Sequence, residues 1–335
     1  QGLIRKYSPE LIIAHHGIYI PQGIVQKISK LLEIPFYSWH FGYRKSTLIF
    51  SKNDTYHKEL INTKIKTFDL DLSADKKDRI MSYLFSRRTG KDDWIHFNRK
   101  PEDGIEPNNF EKRFVFYSSV DWDAALHFPS SLYKSQFDFV DEIIAVFQEL
   151  SRYELIIRIH PAEISGFNPA FISLESYIND KFDSLPKNIR IISASSKKSS
   201  YLISDSCCAA IVYNSKIGIE LPPFGIPIIV GGDCWARGKG FSTDLSEVGQ
   251  LKKIIKNPEI LKLNDQQIER AIKFAYYFYF ERCIDTPELV SSGKKFNLSI
   301  NKEMQLIDKN RKIGFGRIAE LLIKNEEITN SLNEL

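Results

Sequence analysis

The chain has 335 residues, 43% of them apolar and 26% charged, a globular balance that excludes disordered and fibrous classes. At roughly 100–200 residues per domain, this length predicts two lobes with a cleft between them. Its 46 basic and 42 acidic residues leave a formal charge of +4, too mild for a nucleic-acid binder, and no run approaches the roughly 20 apolar residues of a membrane span.

The four cysteines, Cys207, Cys208, Cys234 and Cys283, have neither zinc-ligand spacing nor the density of a disulfide framework. A reducing compartment, the cytoplasm, is therefore expected. No charged-then-apolar leader precedes the first strand. The chain opens on Gln1, not Met.

In chain order, residues 11–14 predict a buried strand, followed by His15-His16-Gly17, a helix over 22–32 and a second strand over 35–39. Strand, loop, helix and strand in that succession make a parallel α/β unit. Residues 66–110 are polar, rich in Lys, Asp and Asn, and carry Pro101, Gly104 and Pro107. They mark the expected domain boundary. The division that follows is a first lobe over 1–110, a second over 111–295 and a helical tail over 296–335.

The second lobe opens with a strand at 114–117 and a helix over 137–150. Short apolar strands follow at 155–159, 189–192, 210–213 and 227–230, each separated by a helix-sized spacer. Runs that are apolar on both faces belong to a parallel sheet covered by helices. A helical segment over 264–282 ends in the aromatic run Tyr276-Tyr277-Phe278-Tyr279-Phe280 and is expected to pack against a lobe. From Lys302 onward, Ile and Leu recur at helical spacing among charges, which predicts surface-docked helices.

Open parallel sheets bind ligands beyond the carboxyl ends of their strands, so the polar residues after each apolar run are the candidates. Asn214 and Ser215 end a strand and are expected to open a helix whose free N–H groups would seat a phosphate. On residue type alone they also serve as plain helix caps. Gly218 would let a backbone approach the ligand, and Glu220, in an otherwise apolar stretch, could accept from a ribose diol. It needs a partner. His160, set by Pro161 after a strand carrying Arg158, could donate to a phosphate or leaving-group oxygen. Arg237-Gly238-Lys239-Gly240 reads as a flexible basic loop able to close over a diphosphate. Asp121 and Asp123, beside Ser118, Ser119 and Trp122, could supply a general base or a nucleophile, although capping is an equal use for Asp121.

Together these motifs resemble the capsule polysaccharide biosynthesis family, bacterial surface-glycan glycosyltransferases related to the transferases of 3-deoxy-manno-octulosonic acid (Kdo). The resemblance rests on S-S-V-D-W-D-A-A at 118–125, R-I-H-P-A-E at 158–163, S-S-Y-L-I at 199–203 and V-Y-N-S-K-I-G-I-E at 212–220. G-I-P-I-I-V-G-G at 225–232 and R-G-K-G-F-S-T-D at 237–244 complete it, over most of residues 112–285. The first lobe adds weaker echoes in A-H-H-G-I-Y at 14–19, G-Y-R-K at 42–45 and D-T-Y-H at 54–57.

The resemblance implies a GT-B-like α/β fold, two Rossmann-like lobes with parallel sheets. The nucleotide-sugar donor would be held mainly by the second lobe and a glycan or lipid-linked glycan acceptor by the first. Asp123, Asp121 and His160 are the catalytic candidates. Ser118, Ser119, Arg158, His160, Ser200, Asn214, Ser215, Gly218, Glu220, Arg237 and Lys239 are the donor-side candidates, and His15, His16 and Arg44 line the acceptor side. No metal site and no cofactor are expected, the donor being a co-substrate, and a CMP-linked ulosonic acid is the implied first donor. Peripheral association with the inner membrane would suit a lipid-linked acceptor. The alternatives are a nucleotide-sugar epimerase of similar build and a non-catalytic glycan-assembly protein. Where the family continues a helix, Leu221-Pro222-Pro223 interrupts it here, so the helix register is expected to change after Glu220.

Overall fold

The computed structural model describes residues 2–89, 109–120, 132–165, 170–287, 289–292, 295–298 and 314–330. Its strands include β1 (Ile12–His15), β2 (Phe36–Phe41), β3 (Thr47–Lys52), β4 (Lys112–Tyr117), β5 (Tyr153–Arg158) and β6 (Ile189–Ile192). They continue with β7 (Ala209–Val212), β8 (Ile228–Val230), β9 (Thr243–Asp244) and β10 (Cys283–Asp285). The described residues up to Thr63 and from Tyr276 onward form one compact unit, and those from Lys64 to Ala275 form another.

This division differs from the boundaries expected at 110 and 295. The polar stretch after Thr63 folds into a helix over Ala74–Arg88 that buries Ile80, Leu84 and Arg87. These three stand at i, i+4 and i+7, one helix face, so the segment belongs to a core despite its composition. The tail is no separate region either. Its helix, Gly314–Ile323, puts Ile318 and Leu321 into one cluster with Tyr37, Leu48, Phe50 and Ile284, and the Tyr37 hydroxyl donates to the Glu326 carbonyl at 2.8 Å.

The first unit carries a four-stranded sheet in the order β1-β2-β3-β10. The helix Gln22–Leu31 joins β1 to β2, which pair in parallel with His15 opposite Trp39. From there the sheet is antiparallel, β2 to β3 and β3 to β10. Only residues 42–46 separate β2 from β3, too few for the dozen or so that a parallel crossover needs, so the chain must turn straight back. Gly42 permits the turn: a Cβ there would stand 2.1 Å from Thr47 Oγ1.

The second unit is a six-stranded parallel sheet in the order β6-β5-β4-β7-β8-β9. Counted within the unit this is 3-2-1-4-5-6, the doubly wound order, and the order reverses between β4 and β7. Phe114, Phe116, Leu155, Ile157, Ile211 and Ile229 bury one face against Phe139, Ile143 and Phe147 of the helix Gln136–Glu149. The sheet runs so close to that helix that a Cβ on Gly231 would fall 2.4 Å from the Phe139 ring. Among the described residues, no helix is long and apolar enough to cross a membrane.

Candidate functional site

A doubly wound sheet opens its crevice at the carboxyl ends of the two strands where the order reverses, here β4 and β7. Tyr117 stands opposite both Arg158 of β5 and Val212 of β7, so three strands end level. The residues that follow are Ser118 and Ser119, Ile159 and His160, and Tyr213, Asn214 and Ser215. The expected donor-side residues of three separate motifs are thus brought to one edge.

Ser118 is buried and ties this edge together. Its N–H donates to the Arg158 carbonyl at 3.1 Å, and its hydroxyl accepts from the His160 N–H at 2.8 Å. His160 Nδ1 accepts from the Ala162 N–H at 3.1 Å, so in the neutral ring the proton sits on Nε2. Burial, followed by the charges of Arg158 and Lys216, pushes the His160 pKa down to about 4. At neutral pH this imidazole is a donor through Nε2 without carrying charge.

Ser119 is held by its backbone, with its N–H on Gln136 Oε1 at 3.0 Å and its carbonyl on Gln136 Nε2 at 2.7 Å. The side chain is left over: among the described residues, Ser119 Oγ is buried with no hydrogen-bond partner, and so is Asn214 Oδ1. An orphaned buried polar group costs about 1–3 kcal/mol. Two of them, one after β4 and one after β7, flank the point of reversal.

Other candidates turn out to be committed elsewhere. The helix expected after Ser215 is a single turn, Ile217–Glu220, succeeded by a 3-10 turn at Pro222–Phe224. The register change after Glu220 occurs as expected, since the Pro222 and Pro223 nitrogens cannot donate to a continuing helix. One turn sums too few peptide dipoles to act as a strong anion seat, which corrects the phosphate argument drawn from a helix start. Gly218 faces Val212, Ala236 and Ile228, and a Cβ there would meet them at 3.4–3.6 Å, ordinary contact, so no ligand approach requires glycine on that side.

Glu220 is buried, and its carboxylate is fully engaged rather than presented to a ribose. Arg87 Nε donates to Oε1 at 3.0 Å, Tyr201 donates to Oε2 at 2.7 Å, and Lys216 Nζ adds a third donor. Arg158 is largely occupied, its two Nη groups donating to the carbonyls of Ile159, Ser193 and Ser196 at 3.0, 2.6 and 3.2 Å while its buried Nε finds no partner among the described residues. It pins the loop after β6. Arg237 does the same after β8, donating to Val230, Gly232 and Leu245 carbonyls. Lys239, expected on a flexible loop, is 1% exposed. It lies 5.7 Å from the Phe274 ring, and burial brings its pKa down to about 8. Ser200 contributes its carbonyl to Tyr117 and Ser204. Asp121 and Asp123 lie outside the described residues.

Of the acceptor-side residues, Arg44 is a clamp. It donates to the Tyr279 and Cys283 carbonyls at 2.6 and 3.1 Å, pairs with Asp285 at 2.8 Å and covers the Phe280 ring. His15 and His16 do come together at the carboxyl end of β1, and they are joined by His40 of β2, which the sequence reading omitted. Ring centroids are 4.4 Å apart for His15–His16, 4.0 Å for His16–His40 and 5.3 Å for His15–His40. Burial comes first in lowering all three pKa values; neighbouring imidazoles add to it at His16, which falls to about 3, and at His40, which falls to about 4.

Arg87 and Tyr201 are further residues that sequence reasoning missed. Arg87 had a signal, an arginine at i+7 of an apolar helix stripe beginning at Ile80. Nothing local links it to Glu220, 133 positions away.

The family model described as capsule polysaccharide biosynthesis protein matches residues 65–279, more than half of the chain. A search of the curated proteins finds no match. Among solved structures, the chain is similar to Thermosulfurimonas dismutans KpsC, β-Kdo 2,4 transferase, at 13% identity and a TM-score of 0.54, covering 84% of this chain and 82% of that one. It is also similar to Thermosulfurimonas dismutans KpsC, β-Kdo 2,7 transferase, at 15% identity and a TM-score of 0.49, covering 97% and 88%. The first likeness carries a shared fold, and the α/β build is of the GT-B type.

Proposed function

We propose, from the premise that this chain belongs to the capsule polysaccharide biosynthesis protein family, that it is a glycosyltransferase moving a sugar from a nucleotide donor to a growing surface glycan. The observation that carries this reading is the pair of orphaned polar groups, Ser119 Oγ and Asn214 Oδ1, at the carboxyl ends of β4 and β7. A hydroxyl and an amide buried without partners at the reversal point of a doubly wound sheet are what a polar ligand would satisfy. The neighbouring neutral His160 adds a donor whose charge does not depend on pH near 7.

The donor we favour is a CMP-linked ulosonic acid. Its support is the likeness to transferases of Kdo, one of which shares the fold. In this reading Asn214 and Ser119 bind the nucleotide part, and His160 donates to an oxygen that gains charge as the sugar leaves. The carboxylate that acts on the acceptor or on the anomeric carbon is Asp123 or Asp121, which follow Val120 in sequence. The acceptor is a glycan, free or lipid-linked.

Thermal unfolding with CMP, UDP, GDP and dTDP in turn tests the donor side. One nucleotide should raise the transition, by linkage worth about 2.7 kcal/mol at a hundredfold excess over its Kd. Ser119→Ala and Asn214→Ala should shrink that shift without lowering the ligand-free transition, because each removes an orphan. A chain that none of the four stabilises would defeat the reading. For the chemistry, Asp123→Asn should retain the nucleotide shift and lose transfer, and retained turnover would clear Asp123 of the role. Conversion of donor in the absence of acceptor would mark an epimerase instead.

A further inference from the structure

We propose that His15, His16 and His40 bind one divalent first-row transition-metal ion of the zinc type at the carboxyl end of the parallel pair β1 and β2. The inference concerns the first unit alone and does not depend on how the six-stranded sheet is read.

The geometry begins with the strands. His15 is the last residue of β1 and stands opposite Trp39, and the His16 N–H donates to the Trp39 carbonyl at 2.9 Å. That bond fixes His16 beside His40, the next residue of β2. His16 adopts a left-handed backbone, φ +60, which is uncommon outside glycine and is held here by the sheet. One ligand-capable nitrogen from each of the three rings lies within 4.8 Å of the others. In a tetrahedral zinc site, nitrogens about 2.0–2.1 Å from the ion are about 3.3 Å from one another. Small ring rotations therefore close the set.

The hydrogen-bonding state of each ring points the same way. His40 Nδ1 is 2.8 Å from the Phe41 carbonyl, which can only accept, so Nδ1 carries the proton and Nε2 keeps a lone pair. An outer-shell carbonyl that fixes the tautomer of a ligating imidazole is the usual support of a metal histidine. His15 Nε2 and His16 Nδ1 are buried and have no hydrogen-bond partner among the described residues. Two orphaned nitrogens stand beside a third ring whose Nε2 keeps a lone pair, and one cation would satisfy such a set.

The donor set identifies the class of ion. Three imidazoles suit zinc, cobalt, nickel or copper, whereas magnesium and calcium take oxygen ligands. Three protein ligands leave a fourth position for an oxygen, from water or from a hydroxyl of a bound sugar. Trp39 packs 4.7 Å from His15 and Tyr19 5.3 Å from His16. Tyr56 stacks 5.7 Å from His40, so each of the three imidazoles packs against an aromatic ring.

The test uses the full chain without a histidine tag, stripped with a chelator and titrated with Zn²⁺ by calorimetry and with Co²⁺ by visible absorption. One ion per chain is expected, with the intense visible bands of four-coordinate cobalt, and Zn²⁺ should raise the thermal transition of the wild-type chain. His16→Ala and His40→Ala should each weaken binding at least tenfold, while His160→Gln, in the other unit, should leave it unchanged. Uptake well below one equivalent, a cobalt complex with only weak six-coordinate bands, or unchanged affinity in folded His16→Ala and His40→Ala chains would overturn the proposal. If either variant fails to fold, the wild-type stoichiometry and cobalt spectrum decide by themselves.

Discussion

The two sheets use their carboxyl ends in opposite ways. Past β4, β5 and β7 the charged side chains are consumed by the protein itself: Arg158 by three carbonyls, and Glu220 by Arg87, Lys216 and Tyr201. What remains unsatisfied there, among the described residues, is a serine hydroxyl, an asparagine oxygen and the single Nε proton of the otherwise engaged Arg158. Past β1 and β2 the arginine is again structural, Arg44 on Tyr279, Cys283 and Asp285, but the unsatisfied groups include imidazole nitrogens. The difference teaches that formal charge is a poor guide to which residue meets a ligand. A buried charge must be neutralised within the fold before any ligand arrives, whereas a hydroxyl, an amide or a neutral ring can be left waiting at modest cost.

The most disruptive way to probe this contrast is to break the internal pairing in the second unit. Arg87 and Glu220 are each 3% exposed at the side chain. Arg87→Ala takes one of two cationic partners from a buried carboxylate that keeps Lys216 and Tyr201, so the loss should fall at or below the low end of the about 3–5 kcal/mol that removing one member of a buried pair costs. Chemical denaturation followed by hydrogen exchange should show that loss in residues 64–275 and not in the segment 11–63. Arg87 was legible only as an oddity, an arginine on the apolar stripe of the Ala74–Arg88 helix. Its partner was invisible because the sequence carries no local record of a contact between a helix at 87 and a turn at 220.

The strands tell the converse story. Residues 114–117, 189–192 and 210–213 were readable because a strand buried on both faces is written as an unbroken apolar run. The strands Thr243–Asp244 and Cys283–Asp285 are too short to leave any pattern, and β3 was lost because its antiparallel return follows from the brevity of 42–46 rather than from its own residues. Legibility of the site followed the same rule. Ser118, Ser119, His160 and Asn214 could be named because they follow such runs, and His40 could not, being one more aromatic position inside the strand Phe36–Phe41.

A gentler probe is pH, acting on two buried bases of the second unit. His160 titrates at about 4 in the folded chain against 6.5 ordinarily, and Lys239 at about 8 against 10.5. Each folded pKa lies below its unfolded value, so within each window the unfolded state binds the extra proton and stability rises with pH. Stability of the second unit should therefore fall as pH drops from 6.5 toward 4, and should gain between about 8 and 10.5 before other groups intervene. His160→Gln should flatten the acid limb alone, and Lys239→Met the alkaline limb alone. An acid limb that survives His160→Gln would mean this ring is not shielded as described.

The smallest effect is also the sharpest on the point at issue. If Gly218 were glycine so that a ligand could lie against its backbone, any side chain would block the site. Its Cα instead faces Val212, Ala236 and Ile228 at distances that accommodate a methyl group, and its backbone is helical. Gly218→Ala should therefore raise stability by about 0.4–1 kcal/mol, by restricting the unfolded chain, and leave the affinity for the stabilising nucleotide unchanged. Loss of nucleotide binding in a chain that is otherwise more stable would move the ligand from the Ser119–Asn214 edge to the Gly218 turn. It would also restore the helix start as the anion seat in place of the orphaned side chains.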